Sequence, residues 1–371
     1  MTILLRLRLF GAVFVALLLG GCASTDAVRG QLTYDLRPEG ARSEVVWPPG
    51  PDIPRYRYAG ELVGEPNLVR NDKTQSGLKT AFNWLVGLFE DDKRIFLQRP
   101  QHGVVSDEGR IHVVDTGRNA VVVFDPNPPA GGDAKDKEGQ LLLWELAAPN
   151  ARFEMPVAAA LVWNGELAVS DSKLGIVSRL NAKGEPVSLF FAASLKRPTG
   201  LAFSPEKGWL YVADSVSHDI KVFDAGGALV QTIGVAGGGE GEFNAPTHLA
   251  YSDGHLYVSD TLNSRVQIFD ANGHYVGKFG ERGLYIGNLM RPKGLAIGDA
   301  GIAYVVESYY GYLLAFNGER QFLLDINGSG LKDGAFNLPA GVWTDKQGRI
   351  FVADMYNGRV VVYKFISSSG G

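Results

Sequence analysis

The chain has 371 residues and a single cysteine, Cys22, so no disulfide can form within the molecule. It has no basic run, and its formal net charge of -4 becomes -6 once the two charges of Arg6 and Arg8 are removed with the N-terminal segment. A mildly acidic chain of this kind lacks the electrostatic footprint of a nucleic-acid-binding protein. The clustered Cys and His ligands of a zinc-binding RING finger are absent as well. Nucleic-acid binding and RING-type ligase function are therefore excluded.

Long membrane-spanning runs are also missing, because the apolar segment Leu9–Leu19 is too short for a comfortable span. This segment follows two arginines and ends in Leu19-Gly20-Gly21-Cys22, which resembles the signal peptide and lipobox of a bacterial lipoprotein. The resemblance implies that residues 1–21 are removed and that Cys22 is acylated, which would anchor the chain in a membrane. An ordinary secretory peptide with a chance cysteine is the alternative.

The residues after Cys22 predict a location and a tether. In such lipoproteins an Asp after the cysteine favours retention in the inner membrane, whereas Ala23 and Ser24 stand here. This favours the outer membrane of the cell envelope, facing the periplasm or the surface. Residues 22–54 are polar and then proline-rich, which predicts an extended spacer between lipid and domain.

Strand signals dominate the rest of the chain, and residues 245–280 contain one complete unit. LAYS and HLYVSD alternate apolar and polar residues around the turn Asp253-Gly254, and VQIFD and HYVGKF follow around Ala271–Gly273. Period-two alternation broken by Asp-Gly and Asn-Gly turns is the signature of antiparallel hairpins. A lone four-stranded sheet with two apolar faces cannot bury both, so the unit needs neighbours.

The neighbours are five further copies of the same pattern. A proline opens each copy, at spacings of 56, 42, 48, 46 and 47 residues, and an apolar strand ends in an acid about fifteen residues later. The prolines are Pro100, Pro156, Pro198, Pro246, Pro292 and Pro339, and the acids are Asp115, Asp171, Asp214, Asp260, Glu307 and Asp354. Six copies of this length and strand content indicate the blades of a β-propeller.

The two ends of the repeat region predict a closed ring. The last copy stops after its third strand, at Tyr363–Ile366, while Arg55–Leu62 stands before the first copy and resembles a fourth strand. We therefore predict an all-β, six-bladed propeller over residues 55–366, in which this N-terminal strand completes the last blade. One short amphipathic helix is predicted over residues 76–92, and residues 367–371 are predicted to be a flexible tail.

Two of the copies resemble a known repeat closely. Phe243–Asp270 and Pro339–Val360 resemble NHL repeats, and the weaker copies extend the resemblance over about residues 55–366. The resemblance implies the propeller fold. It does not select a function, because propellers of this kind include binding modules and enzymes.

One face of the predicted propeller carries the candidate binding residues. The loops before the first strand and after the second strand of each blade emerge on a common face, which we call the loop face. The opposite turn face carries short turns such as SDG and DKQG. Arginine and tyrosine often anchor partners on such displayed loops. The predicted partner-binding residues are Arg99, His102, Arg118, Arg197, His248, Asn263, Arg265, Arg291, Tyr309, Tyr310, Tyr356, Asn357 and Arg359.

Some of these residues also have a structural interpretation. An acid that recurs in every blade is expected to cap a loop or to pair with an arginine, and the pairs Asn263/Arg265 and Asn357/Arg359 share that expectation. His102 and His248 follow the prolines of blades one and four, which oppose each other across the ring. They are candidate zinc ligands, yet no third histidine takes an equivalent position, and zinc takes at least three protein ligands.

The residues favour a membrane-anchored cell-envelope lipoprotein whose propeller binds or scaffolds a protein, peptide or glycan. The alternative is a metal-dependent lyase or hydrolase with zinc or calcium in the channel. A purely structural envelope protein is a third hypothesis. No catalytic residue and no cofactor are assigned.

Overall fold

The computed structural model describes residues 28–38, 40, 44–69, 94–127, 138–190, 195–326, 330 and 335–366. Within this part of the chain, no helix is long and apolar enough to cross a membrane. The predicted signal peptide, Cys22, the predicted helix 76–92 and the tail 367–371 lie outside the described residues.

Among the described residues, six sheets of four to six strands form the six blades of a propeller, and two further sheets have two short strands each. Four strands precede Pro100, the proline of blade 1: β1 (Val28–Leu32), β2 (Val46–Trp47), β3 (Tyr56–Leu62) and β4 (Leu68–Val69). Blade 1 contains β5 (Pro100–Val105), β6 (Ile111–Asp115), β7 (Ala120–Asp125) and β8 (Gly139–Trp144), and the short hairpin β9 (Leu146–Ala148) and β10 (Ala151–Arg152) follows. Blade 2 contains β11 (Pro156–Leu161), β12 (Leu167–Asp171), β13 (Ile176–Leu180) and β14 (Pro186–Phe190).

The remaining blades repeat this order. Blade 3 contains β15 (Pro198–Ser204), β16 (Trp209–Asp214), β17 (Asp219–Phe223) and β18 (Leu229–Ile233), and the short strands β19 (Val235–Ala236) and β20 (Glu242–Phe243) follow. Blade 4 contains β21 (Pro246–Ser252), β22 (His255–Asp260), β23 (Arg265–Asp270) and β24 (Tyr275–Phe279). Blade 5 contains β25 (Pro292–Ile297), β26 (Ala303–Glu307), β27 (Tyr312–Phe316) and β28 (Phe322–Ile326), and blade 6 contains β29 (Val342–Thr344), β30 (Arg349–Asp354) and β31 (Arg359–Phe365).

The acid at the end of each second strand is a buried clamp. In blade 3 the Asp214 carboxylate accepts hydrogen bonds from the backbone N–H groups of Lys196, at 2.6 Å, and Arg197, at 3.1 Å, just before the blade proline. It also accepts one from the N–H of Ser217, at 3.1 Å, in the following loop. A carboxylate that accepts several N–H groups makes strong, charge-assisted hydrogen bonds. Equivalent clamps, all fully buried, are made by Asp115, Asp171, Asp260, Glu307 and Asp354.

The loop after each clamp turns sharply at a fixed position. The fourth residue after the acid has a positive φ in every blade, a conformation that glycine and small polar residues adopt most readily. These residues are Asn119, Gly175, His218, Ser264, Gly311 and Gly358, with φ between 53° and 77°. The clamp and the turn therefore give all six loops the same start and the same end.

The hydrophobic core consists of six clusters, each between two adjacent blades. Between blades 3 and 4, for example, Tyr211 and Val222 pack against Leu256 and Phe269. Between blades 6 and 1, Phe351 and Val360 pack against Ile111 and Val122. Because the last and first blades share a cluster like every other pair, each blade buries both of its apolar faces.

Strands from the two ends of the repeat region meet within blade 6. Strand β3 pairs antiparallel with β31, from Tyr56 opposite Phe365 to Leu62 opposite Val360, and it is the fourth strand of that sheet. The cluster between blades 6 and 1 also includes Leu62. This sheet therefore joins strands from opposite ends of the repeat region.

The segment before Pro54 differs from the predicted spacer. Strand β1 pairs with β8 at the outer edge of blade 1, and β2 pairs with β3 at the outer edge of blade 6. Val28, Leu32 and Tyr34 pack on the cluster between these two blades, and the Trp47 ring lies 5.3 Å from the Tyr363 ring. The prediction of an extended spacer up to residue 54 is thus wrong from Val28 onward, because apolar side chains in an otherwise polar stretch bind it to the propeller.

We predict that the substitution Asp214→Asn destabilises the protein by about 2–3 kcal/mol. Both oxygens of the charged carboxylate accept hydrogen bonds, whereas the neutral amide can accept only at its oxygen atom. Chemical denaturation monitored by tryptophan fluorescence measures this change. Asp224→Asn is a matched control, since Asp224 accepts two backbone hydrogen bonds in an exposed turn of the same blade. Equal losses of stability in the two variants would contradict the clamp.

Candidate functional site

The strand registers define which residues lie on the loop face. In blade 1, Pro100 lies opposite Asp115, Asp115 opposite Ala120, and Val121 opposite Trp144. The blade prolines, the clamps and the loops that follow the clamps therefore lie at one end of each blade. The predicted binding residues divide there into three groups: side chains held within the fold, side chains exposed on the loop face, and the two histidines in the channel.

The first group begins with Asn263 and Arg265 of blade 4. The Arg265 guanidinium contacts the Asp260 clamp at 2.8 Å and donates to the carbonyl oxygens of Gly239, at 2.7 Å, and Glu242, at 2.9 Å. The Asn263 amide donates to the same clamp, at 2.8 Å. These donors hold the loop that leads into the blade, so their role is structural.

Blade 6 repeats this arrangement, and Arg118 of blade 1 likewise donates hydrogen bonds to backbone carbonyl oxygens. Arg359 contacts the Asp354 clamp at 2.9 Å and Glu61 of β3 at 2.8 Å, so it also links the two strands from opposite ends of the repeat region. Asn357 donates to Asp354 at 2.7 Å. Arg118 donates to the carbonyl oxygens of Phe96 and of Arg94 in the segment before blade 1. The sequence could indicate this role, because Asn and Arg recur at the same distance from the clamp in blades 4 and 6.

The second group is exposed on the loop face. Arg99, Arg197 and Arg291 are exposed, and their backbone N–H groups bind the clamps of blades 1, 3 and 5. Tyr309 and Tyr356 each expose 59% of their surface, and the Tyr310 ring packs edge-on against Tyr309 at 4.9 Å. The clamps thus fix the backbone at each arginine and leave its side chain available.

Sequence analysis missed several exposed apolar residues of this face. Val216 and Leu262 take the same position after their clamps as Tyr309 and Tyr356, and they are 49% and 57% exposed. The loop before blade 5 carries Leu284, Tyr285 and Ile286, which are 76%, 84% and 55% exposed. The sequence signal for this loop is an apolar triplet between two glycines.

The third group lies in the central channel. His102 and His248 each follow their blade proline by two residues, and their rings lie 6.1 Å apart. Both are buried, and the His102 ring also lies 5.9 Å from Trp343. We call His102, His248, Lys293 and Trp343 the channel cluster. Sequence reasoning missed Lys293 and Trp343 in this cluster.

Small residues occupy the equivalent position in the other blades. Ala158, Gly200, Gly294 and Gly341 stand where blades 1 and 4 have histidine. A Cβ atom on Gly200 would lie 2.6 Å from the His248 Cα atom. Because these glycines let the innermost strands approach closely, two histidine rings fit into a narrow channel.

Burial keeps these imidazoles neutral. It lowers the pKa of His102 to about 4. Burial, followed by repulsion from His102 and Lys293, lowers the pKa of His248 well below its usual value. Burial and the charge of Arg291 also lower the pKa of the Lys293 ammonium. His248 shares a hydrogen bond with the Thr247 hydroxyl through Nδ1, at 3.1 Å, while its buried Nε2 atom has no partner among the described residues.

The channel cluster therefore offers nitrogen atoms and no carboxylate. Across the described ranges, no group of three or more His, Cys, Asp or Glu side chains could hold a metal ion. Glu307, the clamp of blade 5, accepts hydrogen bonds from the N–H groups of Met290 and Arg291. Such a cluster can form hydrogen bonds with an anionic or carbonyl group.

Comparison with protein families identifies NHL repeats at residues 243–269 and 336–363. These segments lie in blades 4 and 6, where the Asn and Arg side chains bind the clamp. The chain therefore carries NHL repeats within a six-bladed propeller. No curated protein matches the chain at a significant level.

Solved structures resemble the chain in fold. The virginiamycin B lyase of Staphylococcus aureus is 14% identical over 72% of this chain and 96% of its own, with a TM-score of 0.51. A gluconolactonase from Xanthomonas campestris is 15% identical over 74% of this chain and 90% of its own, with a TM-score of 0.53. An auxiliary nutrient binding protein from Bacteroides thetaiotaomicron is 9% identical over 73% and 70%, with a TM-score of 0.53. At these identities the likeness shows the fold alone.

The low pKa of His102 predicts a pH-dependent stability. The unfolded chain binds a proton near pH 6.5 and the folded chain only near pH 4, so stability from the neutral ring is complete above pH 6.5 and is lost as pH falls toward 4. This difference in the pKa of His102 between the unfolded and folded states corresponds to roughly 3 kcal/mol of folding stability. We expect the denaturation midpoint to fall less between pH 7 and pH 4.5 in His102→Gln than in the wild type.

The control for this measurement is His274→Gln, which changes an exposed histidine of the turn face. Carboxylates contribute equally to the wild type and to both variants, apart from Asp270, which loses its contact with the His274 ring in the control. If the denaturation midpoint of His102→Gln falls with pH as much as that of the wild type, burial of this ring does not disfavour its charged form.

Proposed function

We propose that the protein is a lipid-anchored component of the bacterial cell envelope whose propeller is a binding module, with the loop face as its binding surface. The proposed partner is an envelope protein, a peptide or a glycan that presents anionic or aromatic groups. The observation that carries the proposal is the division of the loop face. Its recurrent acids, asparagines and arginines bind within the fold, whereas Arg197, Arg291, Tyr309 and Tyr356 are exposed.

The anchor rests on the sequence of residues 1–24. The two arginines, the short apolar run and the Leu-Gly-Gly-Cys sequence support acylation of Cys22, and Ala23-Ser24 supports the outer membrane. Several acyl chains on one cysteine would give stable anchoring, since each buried methylene contributes about 0.8 kcal/mol.

Side-chain chemistry supports binding by the loop face. Arginine and tyrosine are enriched among residues that dominate binding energies, because they combine large contact area with directional hydrogen bonds. The three exposed arginines belong to alternate blades, and a rigid sheet carries each of them. The Bacteroides structure named as a nutrient binding protein is consistent with a binding role on this fold.

We predict that Arg197→Ala combined with Arg291→Ala weakens capture of envelope partners at least about tenfold, because two anchors worth about 1 kcal/mol each are removed. Quantitative crosslinking and capture from intact envelopes measures this effect. The matched control is Lys183→Ala combined with Lys346→Ala on the turn face, where both side chains are exposed. Equal capture by the two double variants would remove these arginines from the binding surface.

A second function is a metal-dependent lyase or hydrolase that acts in the channel. The facing pair His102 and His248, with the unpartnered Nε2 atom of His248, favours this candidate. The structural likeness to a lyase and to a gluconolactonase is consistent with it. It requires at least one further protein ligand beside the two histidines.

Elemental analysis of the purified protein tests this second function. Under the binding-module proposal, we expect no stoichiometric zinc or calcium, and we expect His102→Ala combined with His248→Ala to leave partner capture within about twofold of the wild type, since the histidines lie inside the channel. One equivalent of bound metal that disappears in the double variant would instead favour the enzyme.

A further inference from the structure

A cavity of about 210 Å³ lies between blades 4 and 5, where β22 and β26 begin at the turn face. Its walls are partly apolar, because Tyr257, Phe279 and Ala303 line it, and Asn317 and Arg320 add polar groups. An apolar cavity of about 150 Å³ is large enough to hold a benzene molecule. This cavity therefore has room for one small ring that carries a polar substituent.

Arg320 stands at a turn position where the other hairpins of the same kind have glycine. The hairpins between the third and fourth strands of blades 2 to 5 share one turn, in which the fourth residue donates its N–H to the carbonyl oxygen of the first. That fourth residue has a positive φ in each turn, with 70° at Arg320 and 80°, 84° and 85° at Gly184, Gly227 and Gly273. Glycine adopts this conformation without strain, whereas a residue with a Cβ atom is disfavoured there. The geometry of the turn therefore does not explain the arginine.

The Arg320 side chain crosses from blade 5 to blade 4. A Cβ atom added to Gly277 of β24 would clash with Arg320 Nη1, so the guanidinium lies on the backbone of that strand. Burial raises the pKa of Tyr257, and the positive charge of Arg320 acts in the opposite direction, which places the guanidinium near this tyrosine as well. Within the described ranges, neither the Arg320 guanidinium nor the Tyr257 hydroxyl makes a hydrogen bond or an ion pair. Both groups are therefore available to a ligand in the cavity.

Blade 3 shows how the same place is filled by a side chain with a structural role. Gln231 of β18 stands where β24 has Gly277, since both pair with the fourth residue of the third strand of their blade. The Gln231 amide donates to the carbonyl oxygen of Asn272, in the turn of the next blade, at 2.9 Å. Arg320 enters the corresponding place from the opposite side and forms no such bond. Filling the space above Gly277 therefore does not require the charged guanidinium.

The chemistry of the cavity walls suits a carboxylate on an aromatic ring. A planar guanidinium such as that of Arg320 can hold both oxygens of a carboxylate at once. Tyr257 and Phe279 can pack against a ring, and the Tyr257 hydroxyl can donate a hydrogen bond to the carboxylate. Asp253 and Glu319 are exposed acids of the neighbouring turns, and neither forms an ion pair with Arg320. The positive charge of Arg320 is thus not neutralised by the part of the chain that the structure describes.

We propose that the cavity between blades 4 and 5 is a binding site for a small aromatic carboxylate, with Arg320 as the residue that binds the carboxylate group. The site lies at the turn-face ends of its strands, away from the loop face and from the channel cluster, so it goes beyond the function proposed above and does not depend on it. Ligand binding accounts for an arginine at a position where the turn favours glycine, because strained residues persist where they serve a site.

Fluorine NMR with para-fluorobenzoate as the probe tests this site, and the neutral para-fluorobenzamide is the matched compound. We expect the purified protein to bind the acid with a Kd of about 1 mM, as is typical of a ligand of about ten non-hydrogen atoms, and the amide at least about tenfold more weakly. Arg320→Gly and Arg320→Gln should each weaken binding of the acid at least about tenfold. Lys183→Gln removes an exposed cation from the corresponding turn of blade 2 and should leave binding unchanged. Equal binding of the acid by the wild type and Arg320→Gln would overturn the proposal, as would equal binding of the acid and the amide.

Stability without ligand separates binding from a purely structural role of Arg320. We expect the denaturation midpoint of Arg320→Gly to equal or exceed that of the wild type, since glycine fits the same turn in blades 2 to 4. A lower midpoint would show that packing on Gly277 explains the arginine, and it would count against the proposal. Inorganic phosphate that displaces the probe at equal concentration would overturn the aromatic carboxylate, because an anion alone would then be sufficient for binding.

Discussion

A buried carboxylate at the end of the second strand determines the geometry of every blade. The carboxylate accepts hydrogen bonds from backbone N–H groups of the segment before the blade proline. In most blades it also accepts them from the loop that follows the acid, so it joins the two segments that form the loop face. These hydrogen bonds lie at the loop-face end of each blade, but the carboxylates are buried. Charge-assisted hydrogen bonds are strongest where water is excluded. Because Glu307 makes the same contacts in blade 5, the longer side chain preserves the clamp. The clamp fixes the backbone and leaves the side chains beside it to vary.

Ring closure is the second constraint. Strands β3 and β31 come from opposite ends of the repeat region, and Arg359 connects its own clamp to Glu61 of β3. The segment from β1 to β4 packs over the cluster between the last and first blades and fixes the side from which the chain enters the propeller. The contact between blades 6 and 1 therefore closes the ring and also sets the direction of the chain before β3.

The repeat pattern predicted the six-bladed all-β fold well, because period-two alternation and turn residues are local signals that survive in degenerate copies. The structural role of the acids was also predictable from their recurrence. The structural role of Arg265 and Arg359 was predictable for the same reason, whereas that of Arg118 was not, because a loop arginine looks the same in sequence whether it reaches a carbonyl oxygen or solvent. Lys293 and Trp343 were missed for a related reason, since only the three-dimensional register brings residues of different blades to one channel. The sequence predicts a spacer at Val28 and Leu32 because the buried residues on which they pack lie thirty or more residues away in sequence.

Hydrogen exchange tests most directly the proposal that the loop face is the binding surface in the cell envelope. Exchange is compared between the protein in isolated envelopes, where the lipid anchor is proposed to hold it, and the same protein released in mild detergent. The loop face as the occupied surface predicts slower exchange in envelopes for peptides that cover residues 282–290 and 355–358, with unchanged exchange in the turns at residues 253–254 and 317–321. Protection confined to those turns, with the loop-face peptides unaffected, would contradict it.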